Sequence, residues 1–159
     1  SNGKLVWQFY TTAAPDQPGG KGWSEDSWKY GGSSVWNTPA VDPKNNLVLF
    51  ATGNPNPDYW GENRKGDNAY TDSIVAIDSR TGKLRWWYQQ VPHDVWDYDC
   101  PSPVILFDYK DEKGNIIPAA AEGGKIGNVF IVNRLTGKLL HKSDAFVKQA
   151  EIRGSVSID

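Results

Sequence analysis

The chain has 159 residues, enough for one domain with a core of its own, and its eight Trp, seven Tyr, sixteen Gly and ten Pro, with no Met, describe an all-β protein rich in turns. A formal net charge of -2 with no cluster of Lys and Arg gives no electrostatic footprint for nucleic acid. No apolar run approaches the ~18 residues a membrane-spanning helix needs, and the one cysteine, Cys100, cannot close an internal disulfide.

The opening "SNGKLVWQF" has no leader-peptide pattern and reads as a chain that has lost its beginning. Its core, "NGKLVWQF" (2–9), returns as "DSRTGKLRWWYQ" (78–89) and "NRLTGKLLHKS" (133–143). In each copy a polar turn with a glycine (Gly3, Gly82, Gly137) leads into Lys-Leu, and the fourth residue after the glycine is Trp7, Trp86 or His141. The strand-like "SIVAID" and "NVFIVN" precede the second and third turns and make hairpins of them. Ahead of the second hairpin stand "SVWNTPAVD" and "NLVLFATG", joined through "PKNN"; ahead of the third stand "SPVILFDY" and "NIIPAAAEG", joined through "KDEKG".

Four short strands per unit with a terminal Gly-x-x-x-Trp turn is the pattern of β-propeller blades, each of which buries its faces against neighbours. Residues 1–159 then hold about two complete blades and the end of another, an arc of antiparallel blades whose open edges call for the remaining blades of a longer protein. The stretch "NPNPDYWGENRKGDNAYT" (54–71) interrupts the pattern, and a loop of that length in a compact domain is functional or disordered.

Candidate site residues also come in chain order. Trp36 follows a Gly-Gly-Ser-Ser run, and Asn54 ends an apolar strand where the long loop begins. "HDVWDYDC" (93–100) sets Asp94, Asp97 and Asp99 among large aromatics. If "VWDYD" is extended, Asp97 and Asp99 point one way, about 7 Å apart at the backbone, and Trp96 and Tyr98 the other. Two carboxylates that close repel and raise a pKa unless a cation sits between them, and oxygen ligands suit a hard metal ion; a solvated acidic turn capped by Asp94 explains the same residues. His93, His141 and one Cys offer no paired spacing for zinc, and the glycine motifs of nucleotide binding and the Gly-x-Ser-x-Gly of serine hydrolases are missing.

The ordered set of motifs carried by 28–36, 51–55, 66–68, 74–82 and 92–99 resembles the quinoprotein dehydrogenases that use pyrroloquinoline quinone (PQQ), and the similarity continues through "LFDYKDEKGN" and "GGKIGNVFIVNRLTGKLL". The resemblance implies an all-β arc of four-stranded antiparallel blades cut from an eight-bladed propeller. It implies a dehydrogenase that oxidises an alcohol or sugar by hydride transfer to the quinone, in the periplasm, with a cytochrome c or membrane quinone as electron acceptor; this isolated piece would be inactive. Trp36 matches the floor on which the quinone lies, Asn54 an amide oxygen ligand of the metal, Asp97 the general base, and Lys125 the cation set against the quinone oxygens. Asp99, two residues after the base, matches an aspartate associated with lanthanide use that also appears in branches working with divalent ions. The metal expected is therefore calcium or a lanthanide, with magnesium behind them. The family's glutamate metal ligand and other PQQ contacts fall in other blades, and its adjacent-cysteine disulfide has no counterpart here. The competing expectation is a non-catalytic propeller scaffold of the outer-membrane assembly factor type; such a scaffold has no reason to combine Trp36, Asn54, Asp97 and Lys125.

Overall fold

The computed structural model describes residues 2–146. Eight strands form two antiparallel sheets: β1 (Ala40–Asp42), β2 (Leu47–Ala51), β3 (Ser73–Asp78) and β4 (Leu84–Gln89) in one, and β5 (Ile105–Lys110), β6 (Ile116–Gly123), β7 (Val129–Asn133) and β8 (Leu139–Lys142) in the other, each in simple up-and-down order. The remaining regular structure among the described residues is two short 3-10 turns, Gly20–Gly22 and Ser27–Tyr30. Of the strand pairs between sheets, β1 and β5 approach most closely, so the sheets converge at their first strands as neighbouring propeller blades do.

Alternation sorts the apolar residues of the first sheet to two faces. Leu47, Leu49, Ala51, Ile74, Ala76 and Trp86 meet Ala120 and Val132 of the second sheet and Val104 just before β5. On the opposite face Phe50, Val75 and Ile77 pack with Ala13, Trp23 and Tyr70, and Trp7 and Phe9 lie against them. Residues 2–10, expected to end a preceding blade, form no strand; they run as an irregular segment with Trp7 and Phe9 against that face.

The repeat has a physical basis. Asp78 Oδ1 accepts the backbone N–H groups of Arg80 and Thr81, and the Gly82 N–H donates to the Asp78 carbonyl. Asn133 repeats this with Leu135, Thr136 and Gly137. Each turn then receives an indole from the unit before it. Trp7 Nε1 donates to the Ser79 carbonyl at 3.0 Å and Trp86 Nε1 to that of Arg134 at 3.1 Å. A Cβ at Gly82 or Gly137 would stand 2.7 Å from the Trp7 or Trp86 ring, and φ is +68° and +73° at the two positions. Glycine is needed twice over, for the left-handed backbone and for the indole. Both terminal hairpins carry a register shift, Ile77 pairing Leu84 while Ala76 pairs Trp86, and Val132 pairing Leu139 while Ile131 pairs His141. The extra residue, Arg85 or Leu140, re-aims the next side chain, as β-bulges do. Asp42 of β1 and Arg134 of the second sheet's turn form a 2.9 Å ion pair that adds a polar tie between the blades.

Candidate functional site

Three segments meet beside the end of β2. The run 32–37 lies along 51–55: Gly32 pairs with Pro55, the Ser33 N–H donates to the Asn54 carbonyl at 2.8 Å, and the Gly53 N–H to that of Ser34 at 2.9 Å. Asn37 closes the ladder, its Nδ2 donating to the Ala51 carbonyl at 2.9 Å. Trp36 is thereby presented with its indole 54% exposed, an open flat apolar face. A Cβ at Gly53 would lie 2.6 Å from both the Trp36 ring and Asp99 Oδ1, so only glycine lets the indole and that carboxylate share the space beside the chain.

The second segment is the aspartate turn. It is no strand. Asp94, fully buried, accepts the N–H groups of Trp96 at 2.8 Å and Tyr98 at 2.6 Å, which folds the chain and holds Asp97 at φ +64°. The expected extended "VWDYD" is corrected on this point, because a local side-chain acceptor outcompetes extended pairing. The sorting of side chains survives: Trp96 and Tyr98 touch each other with centroids 6.1 Å apart, while Asp97 and Asp99 both face Lys125. Asp94 caps the turn as the simpler reading expects, but from a buried position.

Lys125 arrives from the third segment, where its N–H donates to the Asp99 carbonyl at 3.0 Å. Its Nζ stands 2.5 Å from Asp99 Oδ2 and 3.1 Å from Asp97 Oδ2. The other oxygen of Asp99, a buried residue, accepts the Asn54 N–H at 2.9 Å. The charge conflict read from the sequence is therefore relieved by an ammonium. The hydrogen bond to Asp99 pushes the Lys125 pKa up, and the contact with Asp97 adds to it. Burial pushes the Asp97 carboxyl up, but its contacts with Asp99 and Lys125 outweigh burial and hold it below the ordinary carboxylate range. Asp97 is thus ionised, part-exposed and fixed at a turn.

All five residues expected at the site come together: Trp36 and Asp99 flank Gly53, the Asn54 N–H donates to Asp99, and Lys125 bridges Asp97 and Asp99. Asn54 commits both amide hydrogens, to the Pro55 carbonyl at 3.2 Å and Asp58 Oδ1 at 3.0 Å, so its remaining valence is Oδ1. That amide oxygen and the two carboxylates are oxygen donors able to hold a hard cation, and the Trp36 face can hold a flat π system. Among the described residues no group of three or more His, Cys, Asp or Glu side chains is placed to hold a metal ion.

Sequence reasoning missed the supports. The 54–71 loop is ordered around Arg64, fully buried, whose guanidinium donates to the carbonyls of Pro57, Asp58 and Asp94 and to Asn68 Oδ1. His93 Nδ1 bonds the Gly66 carbonyl at 2.8 Å and its ring fills the space a Gly61 side chain would need, so it acts as a strut of the loop. Beneath the site, buried Glu122 meets Gln90 Nε2 and the Ser102 N–H, and burial pushes its carboxyl up to about 7. The "GDN" motif at 66–68 was the one available signal for this scaffold, since Asn68 Nδ2 donates to the Gly22 and Arg64 carbonyls.

A family profile described as "PQQ: Glucose/ethanol/alcohol dehydrogenase, beta-propeller domain" matches residues 1–156. The quinoprotein alcohol dehydrogenase PedH of Pseudomonas putida is 41% identical over 122 residues, covering 76% of this chain and 20% of its own length. PedE of the same organism is 35% identical over 132 residues, covering 79% of this chain and 21% of its own length. A solved europium-containing methanol dehydrogenase superposes with a TM-score of 0.76 at 36% identity, over 82% of this chain and 23% of that one. The chain spans about a fifth of the length of the curated relatives it matches.

Proposed function

The chain belongs to the PQQ-dependent glucose, ethanol and alcohol dehydrogenase β-propeller family, and from that premise we propose that it is the segment of such an enzyme that carries the general base, the quinone floor and part of the metal shell. Its blades would be two complete ones and the end of a third within residues 1–159. The observation that supports the reading is the chain of contacts that brings Trp36, Asn54, Asp97, Asp99 and Lys125 together.

The residues fit both groups the family uses. Gly53 leaves the cradle in which the Trp36 face and the Asp99 carboxylate lie side by side; Asn54 Oδ1, Asp97 and Asp99 are the all-oxygen set that calcium or a trivalent lanthanide takes. When bound, PQQ and its metal supply a hydride-accepting quinone polarised by a Lewis acid. Trp36 would stack on the flat ring system from one side. Asp97 would take the proton of the substrate hydroxyl on its carboxylate as the carbinol carbon gives up hydride. Lys125, already held between the carboxylates, keeps Asp97 ionised and sets a positive charge at the rim of the quinone site. Asp99 holds the Asn54 backbone and the Lys125 ammonium in register, and adds negative charge that favours a trivalent ion. The substrate class is a small alcohol or a sugar, the acceptor a cytochrome c or membrane quinone, and the compartment the periplasm.

The test is reconstitution of the complete protein carrying this chain with PQQ and either calcium or lanthanum, assayed by dye-linked oxidation of ethanol and glucose. Asp97→Asn is expected to lower kcat by roughly 100-fold or more, the scale of general base catalysis. Full activity in that variant would remove Asp97 from the role. Asp99→Ala is expected to weaken lanthanum-supported activity more than calcium-supported activity; equal loss with both ions would end the lanthanide assignment.

A further inference from the structure

Asn54 can serve a cation only if its amide is turned the right way. The terminal torsion of an asparagine is broad and close to two-fold, so an untethered amide presents its NH2 about as readily as its oxygen. In this chain the choice is made by Asp58, whose Oδ1 accepts one Nδ2 hydrogen at 3.0 Å while the Pro55 carbonyl accepts the other at 3.2 Å. Asp58 has an exposed side chain, but its backbone is gripped from within. The buried Arg64 donates from Nε and Nη2 to the Pro57 carbonyl at 3.1 and 2.9 Å, and from Nη2 to that of Asp58 at 3.4 Å.

The same Nη2 reaches the Asp94 carbonyl at 2.6 Å. Asp94 in turn holds the N–H groups of Trp96 and Tyr98 and so sets the turn that carries Asp97. One guanidinium therefore braces the loop that orients Asn54 and the turn that presents Asp97, two segments that lie far apart in the chain.

We propose that Asp58 and Arg64 are positioning residues of the metal site: Asp58 fixes the Asn54 amide with its oxygen toward the cation, and Arg64 fixes the spacing between Asn54 and Asp97. The proposal rests on the reading of Asn54 and Asp97 as metal ligands given above. Two effects of Asp58 must be separated, its hydrogen bond and its negative charge. Asp58→Ala removes both, whereas Asp58→Asn removes the charge and keeps an oxygen that can accept from Asn54 Nδ2.

The readout is calorimetric titration of the complete, PQQ-loaded, metal-stripped protein with lanthanum chloride. Asp58→Ala is expected to raise Kd roughly 10-fold, the scale for partners that orient a metal ligand, and Asp58→Asn to recover most of that loss. Arg64→Lys keeps the charge but lacks the fork that spans the Pro57 and Asp94 carbonyls, and is expected to raise Kd as well; should it fail to fold, the two Asp58 variants decide alone. Equal weakening by Asp58→Ala and Asp58→Asn would reduce Asp58 to a distant charge and overturn the bracket, as would unchanged binding in Asp58→Ala. A wild-type protein that takes up no lanthanum would overturn the ligand reading and the bracket together, whereas wild-type binding with unaffected variants would overturn the bracket alone.

Discussion

Asp72 is fully buried just before β3, at φ +48°, and neither of its carboxyl oxygens finds a hydrogen-bond partner. Burial, with the nearby charges of Asp94 and Asp99 adding to it, pushes its pKa up to about 9. The native protein therefore keeps this proton at neutral pH, while the unfolded chain loses it near the ordinary 3.8. Between those values unfolding releases a proton, so this group's contribution to stability falls as pH rises, most fully expressed above about 9. Asp72→Asn removes that dependence. Thermal denaturation of the complete protein at pH 5 and pH 9 is expected to show the variant gaining on the wild type as pH rises; parallel behaviour of the two would mean that Asp72 is ionised and paired. Nothing in "AYTDSIVAID" announces a buried acid, because its raised pKa comes from burial in the fold and from Asp94 and Asp99, both distant in sequence. Trp36, Asn54, Asp97, Asp99 and Lys125 were legible for a different reason: they stand in ordered motifs, and the motif carries the spacing that the fold later closes.

At the level of the element, the docking of an indole on a glycine turn can be separated from the backbone demand of that turn. Gly137→Ala meets both, since φ is +73° and the new Cβ would be 2.7 Å from the Trp86 ring, a side chain in the core between the sheets. Gly114→Ala meets only the backbone demand: φ is +84°, and nothing lies nearer than the flexible Lys110 Cε at 3.8 Å. The expected cost is about 1 kcal/mol for Gly114→Ala and about 2–4 kcal/mol for Gly137→Ala, where overpacking of the indole is added. Denaturant midpoints on the complete protein check the difference; equal costs would mean that Trp86 moves aside freely. The strands themselves were readable where one face is buried on each side, as in "SIVAID", which is β3 from first residue to last. For "VWDYD" the turn capped by Asp94 holds and the extended reading does not, because the buried acceptor that bends the chain is invisible to periodicity. The register shifts at Arg85 and Leu140 were hidden for the same reason, since a bulge changes parity without changing composition.

For the whole molecule, the question is how much of a working site two blades can hold. Trp36 would offer one stacking face, and at 54% exposed it leaves room for a second wall. On the proposed assignment the described residues would supply two carboxylates and one amide oxygen, short of the six to eight oxygens a calcium-sized ion takes. Lys125 meanwhile satisfies those carboxylates, so a cation binding to this piece alone would have to compete with an ammonium already in place. Each missing contact lowers affinity for both groups, and the losses compound, because an ordered metal and an ordered quinone hold one another. The 159-residue chain expressed by itself is therefore expected to bind PQQ with calcium or lanthanum far more weakly than the complete protein, and to give no dye reduction with ethanol. Equilibrium dialysis against PQQ, with and without metal, measures this directly. Tight, metal-dependent retention by the isolated chain would mean that these two blades hold the whole shell, and that ligands from other blades are not required.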